Sequence, residues 1–251
     1  MKRDKLVAYL DDLLQVRAID DRSNNGLQVE GVGDVNHVAF AVDASLAAFE
    51  DAREAAAQML IVHHGLFWGE PILVTGIHRR RLKVLLDAGL GLYAVHLPLD
   101  FHREFGNNAV LARWLGLEQV EDFGEYWGHA AGTMGQLPGP SSLESFVGFV
   151  EQALGRPPIR VWPFGSDTVQ RIAIVSGAGG SMVDQAAEAS VDVYLTGELS
   201  HTAYHRAREL GLNVVYGGHY ATETAGLQAL AEHLAERFDL KTTFLDLPTG
   251  A

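Results

Sequence analysis

The sequence predicts an α/β protein, and three observations carry that expectation. Short apolar runs alternate with helical patterns, as parallel strands joined by helical crossovers require. The alternation occurs twice, and a segment of different composition separates the two rounds. A chain of 251 residues with 47% hydrophobic content can bury either one large core or two small ones.

The opening stretch, MKRDKLVAYLDDLLQV, begins basic but carries Asp11 and Asp12 among its apolar residues and lacks a small-residue cleavage site, so it reads as an amphipathic helix and not a signal. The turn-rich DDRSNNGLQVEGVGD then interrupts regular structure until Val35. VNHVAFAVDAS is a strand, LAAFEDAREAAAQ a helix, MLIVHHG a strand, GIHRRRLKVLLDAG a helix, LGLYAVHLPLD a strand and FGNNAVLARWLG a helix. From Phe123 to about Val169 the rhythm breaks, with most of the prolines and a hairpin expected around GHAAGTMGQLPGP. The helix SSLESFVGFVEQALG follows. The second round comprises strand and turn VQRIAIVSGAGGS, helix MVDQAAEAS, strand VDVYLTGELS, helix HTAYHRAREL, strand GLNVVYGGHYATE and helix TAGLQALAEHLAERF. The interval from Val38 to His63 equals that from Ile172 to Gly197, which supports an internal duplication setting HHG against TGE and HLPLD against GHYATE.

Composition narrows the chemistry. The formal charge of −13, from 32 acidic and 19 basic residues, repels phosphate backbones and anionic membranes, so neither nucleic acid nor a membrane is an expected partner. No stretch approaches the roughly 18 uncharged apolar residues of a membrane span, and the expected compartment is the cytoplasm. The absence of cysteine removes disulfides, thiolate zinc sites and cysteine nucleophiles, leaving nitrogen and oxygen as metal donors.

Those donors gather at strand ends. MLIV runs into His63 and His64, LYAV into His96 and Asp100, and VVYGG into His219 and Glu223. In open parallel sheets ligands bind outside the carboxyl ends of the strands, so these clusters can meet despite their distance along the chain. Adjacent histidines diverge on an extended strand, which suits two metals better than one, although half-buried histidines with backbone partners would read the same way. Asp100 serves equally as a ligand or as the N-cap of the helix after it. Glu223, one helical turn from His219, can bridge two ions roughly 3.5–4 Å apart or act as a first-turn capping residue with Thr222. His96 is a further donor or a group holding a carboxylate or substrate. His37, His78, His102, His129 and His233 stand singly and read as solvated or structural. His201 and His205 lack the glutamate of an HExxH helix.

Taken in order, NGLQVEG (25–31), HHG (63–65), HLPLD (96–100), TGELSH (196–201) and GGHYATE (217–223) make the chain resemble the bacterial GTP cyclohydrolase I type 2 homolog family, described as Nif-three-like dinuclear metal centre hexameric proteins. The likeness runs over nearly the whole chain. HLPLD departs from the more usual HTNLD but keeps its first histidine and last aspartate. The resemblance implies that His63, His64, Asp100, His219 and Glu223 hold two divalent metals, with Glu223 as the bridge. It implies a Nif-three-like fold of two interleaved three-layer α/β domains of similar topology. Residues 1–125 with 214–251 would form the first, carrying the metal ligands, and 126–213 the second. It also implies a toroidal homohexamer.

The function expected is a metal-dependent hydrolase acting on a small nucleotide-like substrate, by GTP ring opening or phosphoester cleavage, with Glu198 or His96 as general base or substrate holder. The competing expectation is a non-catalytic metal-binding assembly or interaction protein; open coordination positions favour catalysis. Zinc, iron, manganese and nickel all suit the donor set. A third reading, dinucleotide binding at the SGAGG turn (Ser176–Gly180), lacks the Lys-Ser/Thr of a P-loop.

Overall fold

The computed structural model describes residues 1–250, which divide into two compact units. Unit one is Met1–His102 with Leu227–Leu247; unit two is Arg103–Gly226 with the residues from Pro248 on.

Unit one begins with α1 (Arg3–Leu13) and β1 (Gly26–Val29), then alternates β2 (His37–Asp43), α2 (Leu46–Glu54), β3 (Met59–His64), α3 (Gly76–Ala88) and β4 (Gly91–Ala94), and turns through the short helix α4 (Leu97–Asp100). Burial of β2, β3 and β4 is almost complete, because a parallel sheet covered on both faces needs continuous apolar runs and not alternation. Phe49, Leu60, Val62, Leu85 and Leu92 form the centre of one core cluster. Ser45 caps α2 by accepting from Ala48 N at 3.1 Å.

Unit two contains α5 (Asn107–Trp114), β5 (Glu118–Tyr126), β6 (His129–Ser142), α6 (Leu143–Leu154), β7 (Arg160–Trp162), β8 (Thr168–Val175), α7 (Val183–Glu188), β9 (Val193–Thr196), α8 (His201–Leu210), β10 (Asn213–Tyr216) and the single turn α9 (His219–Thr222). The chain then runs through α10 (Thr224–Phe238), most of which belongs to unit one, into β11 (Lys241–Phe244).

Among the described residues the strands form two sheets, ordered β1-β4-β3-β2-β11 and β5-β6-β8-β9-β10-β7. Each contains three consecutive parallel strands with an antiparallel strand bordering the third: β1 beside β4, and β7 beside β10. Ala41 pairs with Val62 and Val175 with Thr196 across the same sequence interval, as the duplicated pattern predicts. That register sets Gly197, and not Thr196, at the position of His63.

Several expectations change. The expected hairpin forms, turning at Trp127–Gly128, so most of GHAAGTMGQLPGP is its second strand. HLPLD and GHYATE leave their strands after Ala94 and Tyr216 and coil into single helical turns. The strands β1, β7 and β11 were not visible as periodic segments, being three or four residues long. The unit limits also differ from the expected 1–125 with 214–251 and 126–213. Pairing of β5 with β6, and insertion of β10 between β9 and β7, draw those strands into the second sheet, and His219 and Glu223 go with them.

Candidate functional site

In unit one the donors collect where β2, β3 and β4 end. His63 is completely buried, and its Nδ1 lies 2.9 Å from the Val95 carbonyl. A carbonyl only accepts, so Nδ1 carries a proton and, in the neutral ring, Nε2 holds the lone pair. Nε2 lies 3.4 Å from Asp100 Oδ2. His64 sits level with Asp43 across the β2–β3 ladder, and its Nδ1 donates to Asp43 Oδ1 at 2.9 Å. His96 directs its Nδ1 to Asp21, at 3.0 and 3.1 Å from the two carboxylate oxygens. The rings of His63, His64 and His96 have centroids 4.8–5.6 Å apart, and each offers a nitrogen within 4.8 Å of the others. An oxygen acceptor behind Nδ1 is how proteins orient imidazole for ligation through Nε2. Asp100 ends α4, and the next helix is capped by Gly106, so Asp100 is not that helix's N-cap.

Asp21 and Asp43 were absent from the sequence-based set. Asp43 obeys the same strand-end pattern as the histidines and could have been found by it. Asp21 could not, since it lies in the turn-rich segment before β1. Its buried carboxylate accepts from Ser23 N, Asn25 Nδ2 and Leu97 N, each at 3.0 Å, besides His96. Asn25 Oδ1 accepts from His96 N at 2.8 Å, and Gln28 Oε1 from Leu66 N at 2.7 Å. The NGLQVEG motif thus ties the His64–Phe67 and His96–Asp100 loops to one short strand.

Burial alone would raise the Asp21 pKa, but the hydrogen bond from His96, that from Asn25 and the imidazole's charge outweigh it and hold the carboxyl at about 2. A depressed folded pKa stabilises the native state above the unfolded value, and the contribution disappears as pH falls from about 4 toward 2. In EDTA-treated protein Asp21→Asn is therefore expected to cost on the order of 2 kcal/mol near pH 6 and much less at pH 2. Urea unfolding at both pH values reads the difference; an equal deficit at the two would contradict it.

In unit two the chain leaves β10 through Gly217-Gly218, and α9 sets His219 and Glu223 one turn apart, with Nε2 3.0 Å from Glu223 Oε2. His219 Nδ1 lies 2.6 Å from Glu198 Oε1, just beyond β9. Burial would lower the His219 pKa, but Glu223 and then Glu198 override it and raise it to about 9. Glu223 is buried, 3% exposed. Gly177 adopts φ +60°, and a Cβ there would collide with Glu223 Oε1. Its N–H donates to Thr222 Oγ1 at 3.0 Å, and that hydroxyl donates to Gly218 O at 2.9 Å. The SGAGG turn is thus packed against the carboxylate of Glu223, an unsuitable neighbour for a dinucleotide phosphate.

His63, His64, His96 and Asp100 are therefore brought together in unit one, and Glu198, His219 and Glu223 in unit two. Both units carry candidate metal-binding groups. His201 and His205 are exposed on α8, and among the described residues no third donor joins them. His37 is buried, with Nε2 2.9 Å from Thr243 Oγ1, a structural role. No described helix is long and apolar enough to cross a membrane.

Comparison with known proteins supplies the family. A protein from Pyrococcus horikoshii named GTP cyclohydrolase 1 type 2 homolog is 47% identical over 250 residues, covering all of both chains. One of the same name from Escherichia coli K12 is 41% identical over 252 residues, again covering both chains fully. A solved structure described as protein ybgI, of unknown function, superposes with TM-score 0.93 at 42% identity over the whole of each chain. The family model for Duf34/NIF3 (NGG1p interacting factor 3) matches residues 1–249. With its paired strand-end donor sets and a match along its length, the chain belongs to the Duf34/NIF3 family.

Proposed function

We propose that the chain is a dinuclear metal-dependent hydrolase acting on a small nucleotide-like substrate, with His63, His64, Asp100, His219 and Glu223 holding two divalent ions. The observation that carries this reading is the uniform orientation of the imidazoles: His63, His64 and His219 each engage an oxygen acceptor through Nδ1, which reserves Nε2 for a metal. Three histidines and two carboxylates suit zinc, iron, manganese or nickel. Two ions bound there would supply Lewis acidity and lower the pKa of water toward neutrality.

The chain's own residues divide the remaining work. Glu223, with two oxygens and little exposure, would serve both ions as the shared carboxylate. Glu198 orients His219 through Nδ1. His96, backed by Asp21, is the imidazole outside the ligand set and the one to hold or move a proton at Nε2. The relatives' name supports nucleotide-like substrates, with GTP ring opening and phosphoester cleavage as the two reactions to assay. The proposal includes a homohexamer, which sedimentation reads directly.

The test is elemental analysis of the purified protein alongside hydrolysis assays on GTP and a phosphoester panel, before and after EDTA. About two ions per chain, turnover lost on chelation and its return on adding one of the four metals are the expected results. Two bound ions with no hydrolysis of any substrate would favour a non-catalytic metal-binding protein. Turnover indifferent to chelation would remove the metals from the mechanism.

A further inference from the structure

We infer that Trp68 is the stacking platform for a planar heteroaromatic ring, so that a substrate's base lies on its indole while the polar end reaches the metal ligands. The inference rests on the dinuclear reading above and deepens it.

Trp68 lies on the loop after β3, four residues past His64. Its ring meets His96 edge-on, with centroids 5.0 Å apart and planes at 71°, and stands 6.0 Å from His64. Its Nε1 donates to Gly65 O at 2.8 Å, so the indole's one polar atom is already used and its orientation is set. Trp68 as a residue nevertheless remains 38% exposed, a large aromatic side chain beside the imidazole cluster that the fold does not bury. Such a surface gains from a second aromatic ring, and purely ionic substrates make no use of it.

The loop holds the ring in place. Asn24 N donates to Phe67 O at 3.0 Å, Leu66 N to Gln28 Oε1 at 2.7 Å and Gly69 N to Asn24 Oδ1 at 3.2 Å. Phe67 packs into the core cluster of unit one. A flat, anchored ring adjoining metal-binding nitrogens matches a molecule whose heteroaromatic ring and hydrolysable polar group are joined, as in a nucleotide. Stacking tolerates any base, so the platform selects for a base without choosing among them.

The experiment is calorimetric titration of the full, metal-loaded chain with GTP and with tripolyphosphate, which carries the same phosphates without a ring. Wild-type protein should bind GTP at least about tenfold more tightly than tripolyphosphate. Trp68→Ala should lose about tenfold or more for GTP and nothing for tripolyphosphate, while Trp68→Phe should retain most of the GTP affinity. Metal content, measured in parallel, should equal wild type in both variants. Equal GTP affinity in Trp68→Ala, or equal losses for both probes, would overturn the assignment while leaving the dinuclear reading intact. If wild-type protein holds two metals and binds neither probe, the nucleotide-like substrate falls and the platform falls with it. If it holds no metal, the dinuclear reading itself has failed.

Discussion

Glu223→Ala is expected to leave the folded chain short of metal and to lower turnover by at least about a hundredfold. Removing a group that merely orients a metal ligand costs roughly 10–100-fold in affinity or activity, and removing a bridging ligand should exceed that. The charge balance points the same way. On the dinuclear proposal, two divalent ions facing the carboxylates of Asp100 and Glu223 would be half neutralised, and with Asp100 alone their mutual repulsion would be less well compensated. Elemental analysis should find one ion or none where the dinuclear proposal gives wild type two. His63→Ala should behave alike, because His63 is completely buried and its Nε2 stands 3.4 Å from Asp100 Oδ2. Retention of two ions and of wild-type turnover by either variant would exclude that residue from the centre.

Gly177→Ala is expected to lower both stability and metal content. At φ +60° an alanine pays about 1–2 kcal/mol for the left-handed conformation, a few degrees of Tm in a chain of this size. Its Cβ would also meet Glu223 Oε1 in hard contact and lie 3.4 Å from His219 Nε2, so the carboxylate must move. Gly155→Ala separates the two effects. Gly155 has φ +67° at the end of α6, with nothing within 4 Å of an added Cβ. Both variants should melt several degrees below wild type, but only Gly177→Ala should lose metal and turnover. Matching metal content in the two would show that Gly177 serves the backbone alone.

Much of this was readable from residues in a row. VHHG, AVHLPLD and VYGGHYATE each pass from an apolar run to metal-donor types at the carboxyl end of a parallel strand, but the first two leave the first sheet and the third leaves the second, so the pattern alone did not show that they end on different sheets. The same logic extended to Asp43 would have found the partner of His64. It could not have found Asp21, whose place depends on β1 pairing antiparallel with β4 and carrying Asn25 and its neighbours to the His96 loop. Strands as short as KTTF and RVW show no periodicity to detect, and they exist because a neighbour's backbone groups need partners.

The alternation of strands and helices within each repeat, the identity of the donors and their position at strand ends all follow from local patterning, since side-chain period and chain direction are properties of consecutive residues. Which imidazole nitrogen keeps its proton, and which compact unit claims His219 and Glu223, were decided in three dimensions. A tautomer is chosen by an acceptor such as Val95 O or Asp21, brought from elsewhere in the chain, and a unit boundary by which sheet supplies the missing backbone hydrogen bonds of β5 and β10.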